Sequence, residues 1–432
     1  MKNSPNGDLK RELGVWDVAT NVVNISIASG IFLLPALIAG LLGNASILAY
    51  LVCGLMVLLI ALCYAEVGSR ITTSGGSYAY IEKAFGPYFG FIANGFLWFG
   101  TGVLVSAALI NGISDMLSVP YTIFNLPIYR GILFLVLFSF YAFINMIGIK
   151  QGMNVIKAVT LIKIIPLVLI VIFGLFKLNT TNLQWEGFPN FDKLGAASII
   201  LFFAFIGGET ALNISGEMKN PSRTAPFGLI LGVICIVVFF SLIQIVAQST
   251  LGKDLLQQKA PLAAVAGELL GNFGTKMLII CGVIAIFSSL NSIVLVSSRA
   301  MYAGAKDGLL PSFLSKIHPK YVTPHLTILS FCIISFLMAF SGGFKQLLIL
   351  ATLSTLFLYV GVALSAIKFR FSKDLAPPAT FKLPGGLSIP LLTLIILAWF
   401  IFQSKQEEII AMGIFLLVLT VIYFLKVFIQ SK

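Results

Sequence analysis

Charge is scarce in this chain: 10% of its 432 residues are Asp, Glu, Lys or Arg, against roughly 25% in an ordinary soluble domain. With 58% hydrophobic residues and a mean hydropathy of +1.01, no soluble core could hide the apolar surface. Two histidines and five cysteines are equally sparse. His318 and His325 share one connecting segment, and Cys53, Cys63, Cys235, Cys281 and Cys332 all fall in apolar runs. No CxxC or Cys/His cluster exists, so neither a disulfide, a metal centre nor a cofactor is expected. Paired carboxylates and nucleophile–base pairs are also missing, which excludes a membrane-embedded enzyme. A channel would need a repeated filter or a ring of charge, and neither is present.

What is present is apolar length. Twelve apolar segments can be counted, from 15–41 and 45–68 to 386–404 and 408–428, most near the 20 residues that cross a bilayer as a helix. The first is too long for a signal peptide and lacks a cleavage site, so it is expected to stay as a helix. An even number of spans puts both termini on one side. The segments on that side carry more than twice as many Lys and Arg as the other, which makes the termini cytoplasmic. The formal charge of +12 is therefore topology, and no nucleic-acid partner is expected. The reading is an all-α, multi-pass protein of the cell membrane, with the lipid bilayer as its surroundings.

Two segments are ill suited to continuous membrane helices. The first apolar segment contains SIASGIFLLP, with Ser26, Ser29, Gly30 and Pro35 in its middle. The sixth contains FFAFIGGET, where Gly207 and Gly208 precede Glu209. Glycine weakens a helix interior and proline cannot donate a backbone hydrogen bond. One such segment reads as close helix packing through small residues. Two, at the same place in successive sets of five, point to a midplane binding site between inverted repeats. Amides at a half-helix N-terminus can take a carboxylate, and free carbonyls at a half-helix C-terminus can take an ammonium. A zwitterionic amino acid carries both groups.

The stretches RELGVWDVATNVVNISIASGIFLLP, SGGSYAYIEKAFGPYFGF, FFAFIGGETALNISGEMKNPSRTAPFG and SSRAMYAGAKDGLLPSF resemble the amino acid–polyamine–organocation superfamily, in that family's order. Among its members the chain is most similar to the basic amino acid/polyamine antiporter branch. The resemblance implies twelve transmembrane helices in a leucine-transporter-like fold. Its parts are a tail at 1–14, a five-helix repeat at 15–176, an outer loop at 177–194 and an inverted five-helix repeat at 195–367. A cytoplasmic linker at 368–385, two further helices at 386–428 and a tail at 429–432 complete it. It implies secondary transport of an amino acid as the small-molecule substrate, by sodium-independent exchange or by proton symport. A major facilitator carrier would instead place a long basic loop between helices six and seven, where this chain has only about residues 217–225.

Carried over residue by residue, the resemblance gives Ser26, Ile27, Ala28, Ser29 and Gly30 as the segment whose amides take the carboxylate. Phe203, Ala204, Phe205 and Ile206 match the stretch whose carbonyls take the amine. Phe203 stands where arginine exchangers carry a stacking tryptophan, Val105 where they carry an asparagine, and Ile293 where they carry another tryptophan. Lys163, nine residues into the fifth apolar segment and so ~13 Å along it, matches the lysine that replaces sodium in sodium-independent members. An intramembrane charge is a functional candidate by default. Glu209 matches a glutamate that senses protons or gates. Glu66 and Arg70, four apart, read as a helix-end ion pair.

Residue spacing adds a preference. Leu97, Thr101 and Val105 lie four apart and would share one face toward Phe203. No acidic side chain occupies the middle of helices three, eight or ten, and Asp115 lies near an outer end. The expected substrate is therefore a neutral, apolar amino acid; the alternative is exchange of a cationic amino acid or polyamine, its charge held over the Phe203 ring.

Overall fold

Where water is absent, a spanning segment has to satisfy its own backbone, and the helix is the local way to do so. A computed structural model describes residues 14–27, 30–71, 76–148, 153–185, 187–209, 218–219, 221–306, 308, 310–372, 374–375, 377–379, 381–383 and 385–430. Within them the chain forms fifteen α-helices. Helices α1 (Val15–Ser26) and α2 (Gly30–Leu42) are the two halves of a span bent by 61°. Helix α3 (Ile47–Arg70) is followed by the short α4 (Ser77–Phe85). Next, α5 (Pro87–Gly95), a π-helical stretch (Phe96–Leu104) and α6 (Val105–Leu117) run together as one 31-residue span.

After α7 (Pro127–Ile147) and α8 (Met153–Phe176) comes α9 (Phe191–Phe202), which ends in a 3₁₀ turn, Phe203–Phe205. The rest are α10 (Pro221–Leu251), α11 (Pro261–Lys306), α12 (His325–Ala339), α13 (Phe344–Phe371), α14 (Ser388–Phe402) and α15 (Gln406–Gln430). Among the described residues, seven spans are long and apolar enough to cross a membrane, eight with the bent α1–α2 pair. Shorter apolar helices occupy Leu161–Phe176, His325–Ala339 and Ser388–Phe402.

Local sequence explains the ends. Helix α7 opens on Pro127, whose missing N–H would have no helical partner there, and closes on Gly148 at φ +75°, the left-handed cap that glycine adopts freely. Helix α4 buries Tyr80, Ile81 and Ala84 and exposes Glu82 and Lys83, the short amphipathic helix that the stretch GGSYAYIEKAFGP after the second apolar segment leads one to expect. Two features escape the apolar pattern. Helix α11 begins at Pro261, well before the expected start near 274, and Gly271 at φ +69° divides it into two helices. The π-helical stretch is the other.

The helices sort into two packing groups. Helices α1, α2, α3, α9 and α10 pack on one another; α6, α7, α11 and α12 form the second set, and α13 runs against members of both. Small residues bring α1 and α10 together: a Cβ on Gly228 or Gly232 would stand 2.5 or 2.6 Å from the Cβ of Val18 or Val22. Four of the five cysteines are buried and Cys235 faces outward on α10; all five are free thiols.

Buried polar bonds fasten the first group. Gln244 of α10, fully buried, accepts from the Tyr50 hydroxyl (2.9 Å) and donates to the Pro35 carbonyl (3.4 Å). Gln248 donates to the Gly43 carbonyl and to Ser46 Oγ. At the α4 end, Glu66 is 1% exposed. Arg370 donates to it through Nε (2.7 Å) and Nη2, Arg70 donates at 3.2 Å, and the Leu383 amide donates at 3.1 Å. The helix-end pair expected from spacing is thus one edge of a cluster that joins α3, α13 and the segment before α14.

Side-chain hydrogen bonds within membrane proteins are worth ~0.6 kcal/mol on average and up to ~1.7. Gln244→Ala removes two of them and leaves a buried Tyr50 hydroxyl. Thermal unfolding of detergent-solubilised protein should therefore show a midpoint several degrees lower than wild type. The same change at exposed Gln257 should leave it within one degree.

Candidate functional site

The bent α1–α2 span and the end of α9 meet. Helix α1 stops at Ser26, and Ile27 leaves the helix with ψ 67° while its N–H still bonds the Val23 carbonyl (2.9 Å). Ala28 and Ser29, two of the expected carboxylate-binding residues, lie outside the described residues. Helix α2 resumes at Gly30. Opposite, the 3₁₀ turn Phe203–Phe205 gives way to extended backbone at Ile206 (ψ 141°) and then to Gly207 at φ +106°, a conformation that excludes most side chains. Both sequence-predicted interruptions are therefore real breaks.

They touch through backbone. A Cβ on Gly30 would lie 2.8 Å from both Cα and Cβ of Ala204, closer than real Cβ atoms approach. Only a glycine lets the start of α2 lie on the turn that ends α9. The helix termini here have opposite character. The C-terminal ends of α1 and α9 present carbonyls and negative dipole ends, and the N-terminus of α2 presents amides and a positive one. One small region thus offers separate places for a cation and an anion.

Glu209 closes the break on one side. Its Oε2 accepts the Gly207 N–H (3.1 Å) and its Oε1 accepts the Tyr359 hydroxyl of α13 (2.7 Å). Tyr359 packs edge-on against Tyr64 of α3, whose hydroxyl pairs with Ser77 Oγ at 2.6 Å. An enclosed cavity of about 10 Å³, lined by Ser26, Gly208, Glu209 and Tyr359 among others, separates Glu209 from α1. That volume suits roughly one water. Ser26 Oγ is buried there with no hydrogen-bond partner. Tyr359 is a polar contact that sequence reasoning missed; nothing in the α13 sequence singles out one tyrosine 150 residues from its carboxylate.

The remaining candidates surround this region. Phe203, 7% exposed, sets its ring edge-on to Phe344 at 6.4 Å. Leu97 and Thr101 lie on the π-helical stretch, where the Thr101 hydroxyl is engaged by the Leu97 carbonyl (2.5 Å), and Val105 opens α6. That stretch packs chiefly on α13 and α11, and Phe203–Phe205 packs on α2, α13 and α3. Helix α13 is thus the element that both sets of candidates pack on. Ile293 is half-buried on α11. Lys163, 5% exposed on α8, takes part in none of the three ion pairs among the described residues. Asp115 is tied to Arg130 at 3.0 Å. Among the described residues no three His, Cys, Asp or Glu side chains group to hold a metal.

A family model described as amino acid permease matches residues 13–425. The branched-chain amino acid permease BcaP of Bacillus subtilis is 26% identical over 96% of this chain and 93% of its own. The serine/threonine exchanger SteT of the same organism is 31% identical over 76% of each chain. Mouse large neutral amino acids transporter small subunit 2 is 28% identical over 98% of this chain and 82% of its own. These relatives correct one expectation: the chain groups with permeases named for neutral amino acids, not with the basic amino acid/polyamine branch. The four stretches that carried the resemblance leave out Val105 and Ile293, apolar residues that stand where arginine exchangers carry an asparagine and a tryptophan. The family and these relatives are permeases, exchangers or transporters, not enzymes. With the match running through nearly the whole sequence, the chain belongs to the amino acid permease family.

Proposed function

We propose that this permease is a sodium-independent secondary transporter of neutral amino acids, an exchanger or a proton symporter, working by alternating access around its two broken helices. In this reading it has twelve spans in a leucine-transporter-like arrangement, with both termini in the cytoplasm of the cell membrane. The α4 end of the molecule is then the inner end. The observation that carries the proposal is the backbone contact between Gly30 and Ala204. It supports a reading in which amides of Ser26–Gly30 take the carboxylate and carbonyls of Phe203–Ile206 take the ammonium. The substrate side chain then lies among apolar groups, Leu97, Val105, Phe203 and Ile293, with the Thr101 hydroxyl already engaged.

Neutral substrates follow from what those walls lack. Asp115 already pairs with Arg130, and Glu209 is held by Tyr359 and Gly207, so neither is free to receive a guanidinium. A cation over the Phe203 ring would gain ~0.5–2 kcal/mol, less than the cost of stripping its water in a buried site. Each buried methylene of an apolar side chain instead gains ~0.8 kcal/mol. Calorimetry on purified protein should show leucine, methionine or alanine binding more tightly than arginine. Arginine binding tenfold tighter than every neutral amino acid would overturn the assignment. Esterifying the carboxylate or acetylating the amine of a good substrate should abolish competition for uptake.

Lys163 supplies a fixed positive charge where a coupling cation would otherwise be held. Uptake into proteoliposomes should be the same in sodium and in choline buffers. Lys163→Ala should reduce flux at least tenfold while the protein still inserts; strict sodium dependence of the wild type would refute this role.

Gly30→Leu should abolish substrate binding, because the added side chain would drive α2 away from Ala204. If Gly30→Leu binds leucine as wild type does, the breaks are not the site.

A further inference from the structure

The end of the molecule opposite α4 is sealed by apolar contacts between elements far apart in sequence. Helix α2 seats two side chains on glycines. A Cβ on Gly112 of α6 would lie 2.7 Å from Leu33 Cδ1, and one on Gly282 of α11 would lie 3.1 Å from Phe32 Cδ1. Phe344 lies beside the same glycine, where a Cβ would stand in van der Waals contact with its Cδ2 at 3.4 Å. Phe344 in turn meets the edge of Phe203 at 6.4 Å. Phe344 therefore bridges the break in α9 and the wall made by α6.

Its place in the chain sets it apart from the other residues of the seal. Leu33 and Phe32 lie inside α2, whereas Phe344 is the first residue of α13 and follows Ser341, Gly342 and Gly343. The first residues of a helix lack intrahelical partners for their N–H groups. Lys345 and Gln346, next in sequence, are exposed, while Phe344 is 7% exposed. The ring is held by its apolar contacts, on the first residue of a helix whose next two side chains face outward.

We infer that Phe344 is a specificity-determining residue: with Phe203 it forms an aromatic lid that sets the largest substrate side chain the site accepts. This rests on the amino acid reading given above, in which the substrate side chain lies against Phe203. A small side chain leaves the Phe203–Phe344 contact closed. A large one has to displace Phe344 from its seat against Gly112.

The test is the ratio of KM for tryptophan to KM for alanine, measured in proteoliposomes with wild type, Phe344→Ala, Phe344→Leu and Phe344→Trp. Phe344→Ala should lower the ratio at least fivefold and Phe344→Trp should raise it at least fivefold. Phe344→Leu should fall between Phe344→Ala and wild type. A merely structural role would change both KM values by one factor. A ratio constant within twofold across the variants, with wild-type amino acid transport intact, overturns the lid and leaves the functional reading standing. Should Phe344→Ala not fold, the Leu and Trp variants decide by the same ratio. A wild type that carries no amino acid would sink the functional reading itself, and the lid with it.

Discussion

In hydrocarbon every backbone N–H and C=O needs a partner, and the organisation of this protein depends on how that demand is met at two places where it is not met by a helix. The α1–α2 break and the end of α9 each leave backbone groups without intrahelical partners. Neither break is tolerable facing lipid. They are set against each other, with Gly30 on Ala204, inside a group of helices that packing through small residues holds together. Glu209 answers one exposed amide, Gly207 N–H, from within the same break. Tyr50, Gln244 and Gln248 hold α2, α3 and α10 in register around it. In the proposed reading, the remaining unpaired groups are what an amino acid supplies partners for.

The two ends of the molecule are closed by different physics. Opposite α4 the contact that α2 and the end of α9 make is apolar: Leu33 on Gly112, Phe32 by Gly282 and Phe203 on Phe344. At the α4 end it is polar, with Tyr359 on Glu209 and the two arginines on Glu66. Apolar contact is non-directional and tolerates sliding. A buried ion pair with several hydrogen bonds has one good geometry, and removing one partner is costly. Helix α13 takes part in both, with Phe344 at one end and Arg370 at the other. It also runs against both packing groups, so a change in its tilt would be felt at both closures.

Much of the fold was legible because hydrophobic length is a property of local sequence. The apolar segments, the amphipathic α4 and both breaks followed from composition and from glycine and proline placement. What stayed hidden depended on distant parts of the chain. Glu66 and Arg70 announced themselves by spacing, but the stronger partner, Arg370, lies 304 positions from Glu66. Phe344 and Tyr359 look like any aromatic residues of an apolar helix until α13 is placed beside α9. The π-helical stretch escaped because its sequence, FLWFGTGVL, is as apolar as its neighbours. Gly271 falls between the apolar segments that end at 250 and begin at 274, so nothing in that pattern marked it as the joint of two helices. The branch of the family was misread because the four stretches that carried the resemblance leave out Val105 and Ile293, where this chain is apolar.

That misreading points to how substrate choice is divided within the site. If carboxylate and ammonium are read by backbone, the recognition of an amino acid as such resides in the positions of Gly30, Ala204 and Gly207. Those positions tolerate little change, since a Cβ at Gly30 collides and Gly207 sits at φ +106°. The side chain of the substrate is then read elsewhere, by Val105, Ile293, Phe203 and the residues around them. Apolar walls discriminate weakly, since one methylene changes binding by only ~1–3 kcal/mol. A few substitutions there can redirect the carrier without disturbing the breaks. Relatives at 26–31% identity named for branched-chain, serine/threonine and large neutral amino acids fit such a division. A fixed backbone site for the shared end of every amino acid leaves the variable end to side chains that packing constrains less.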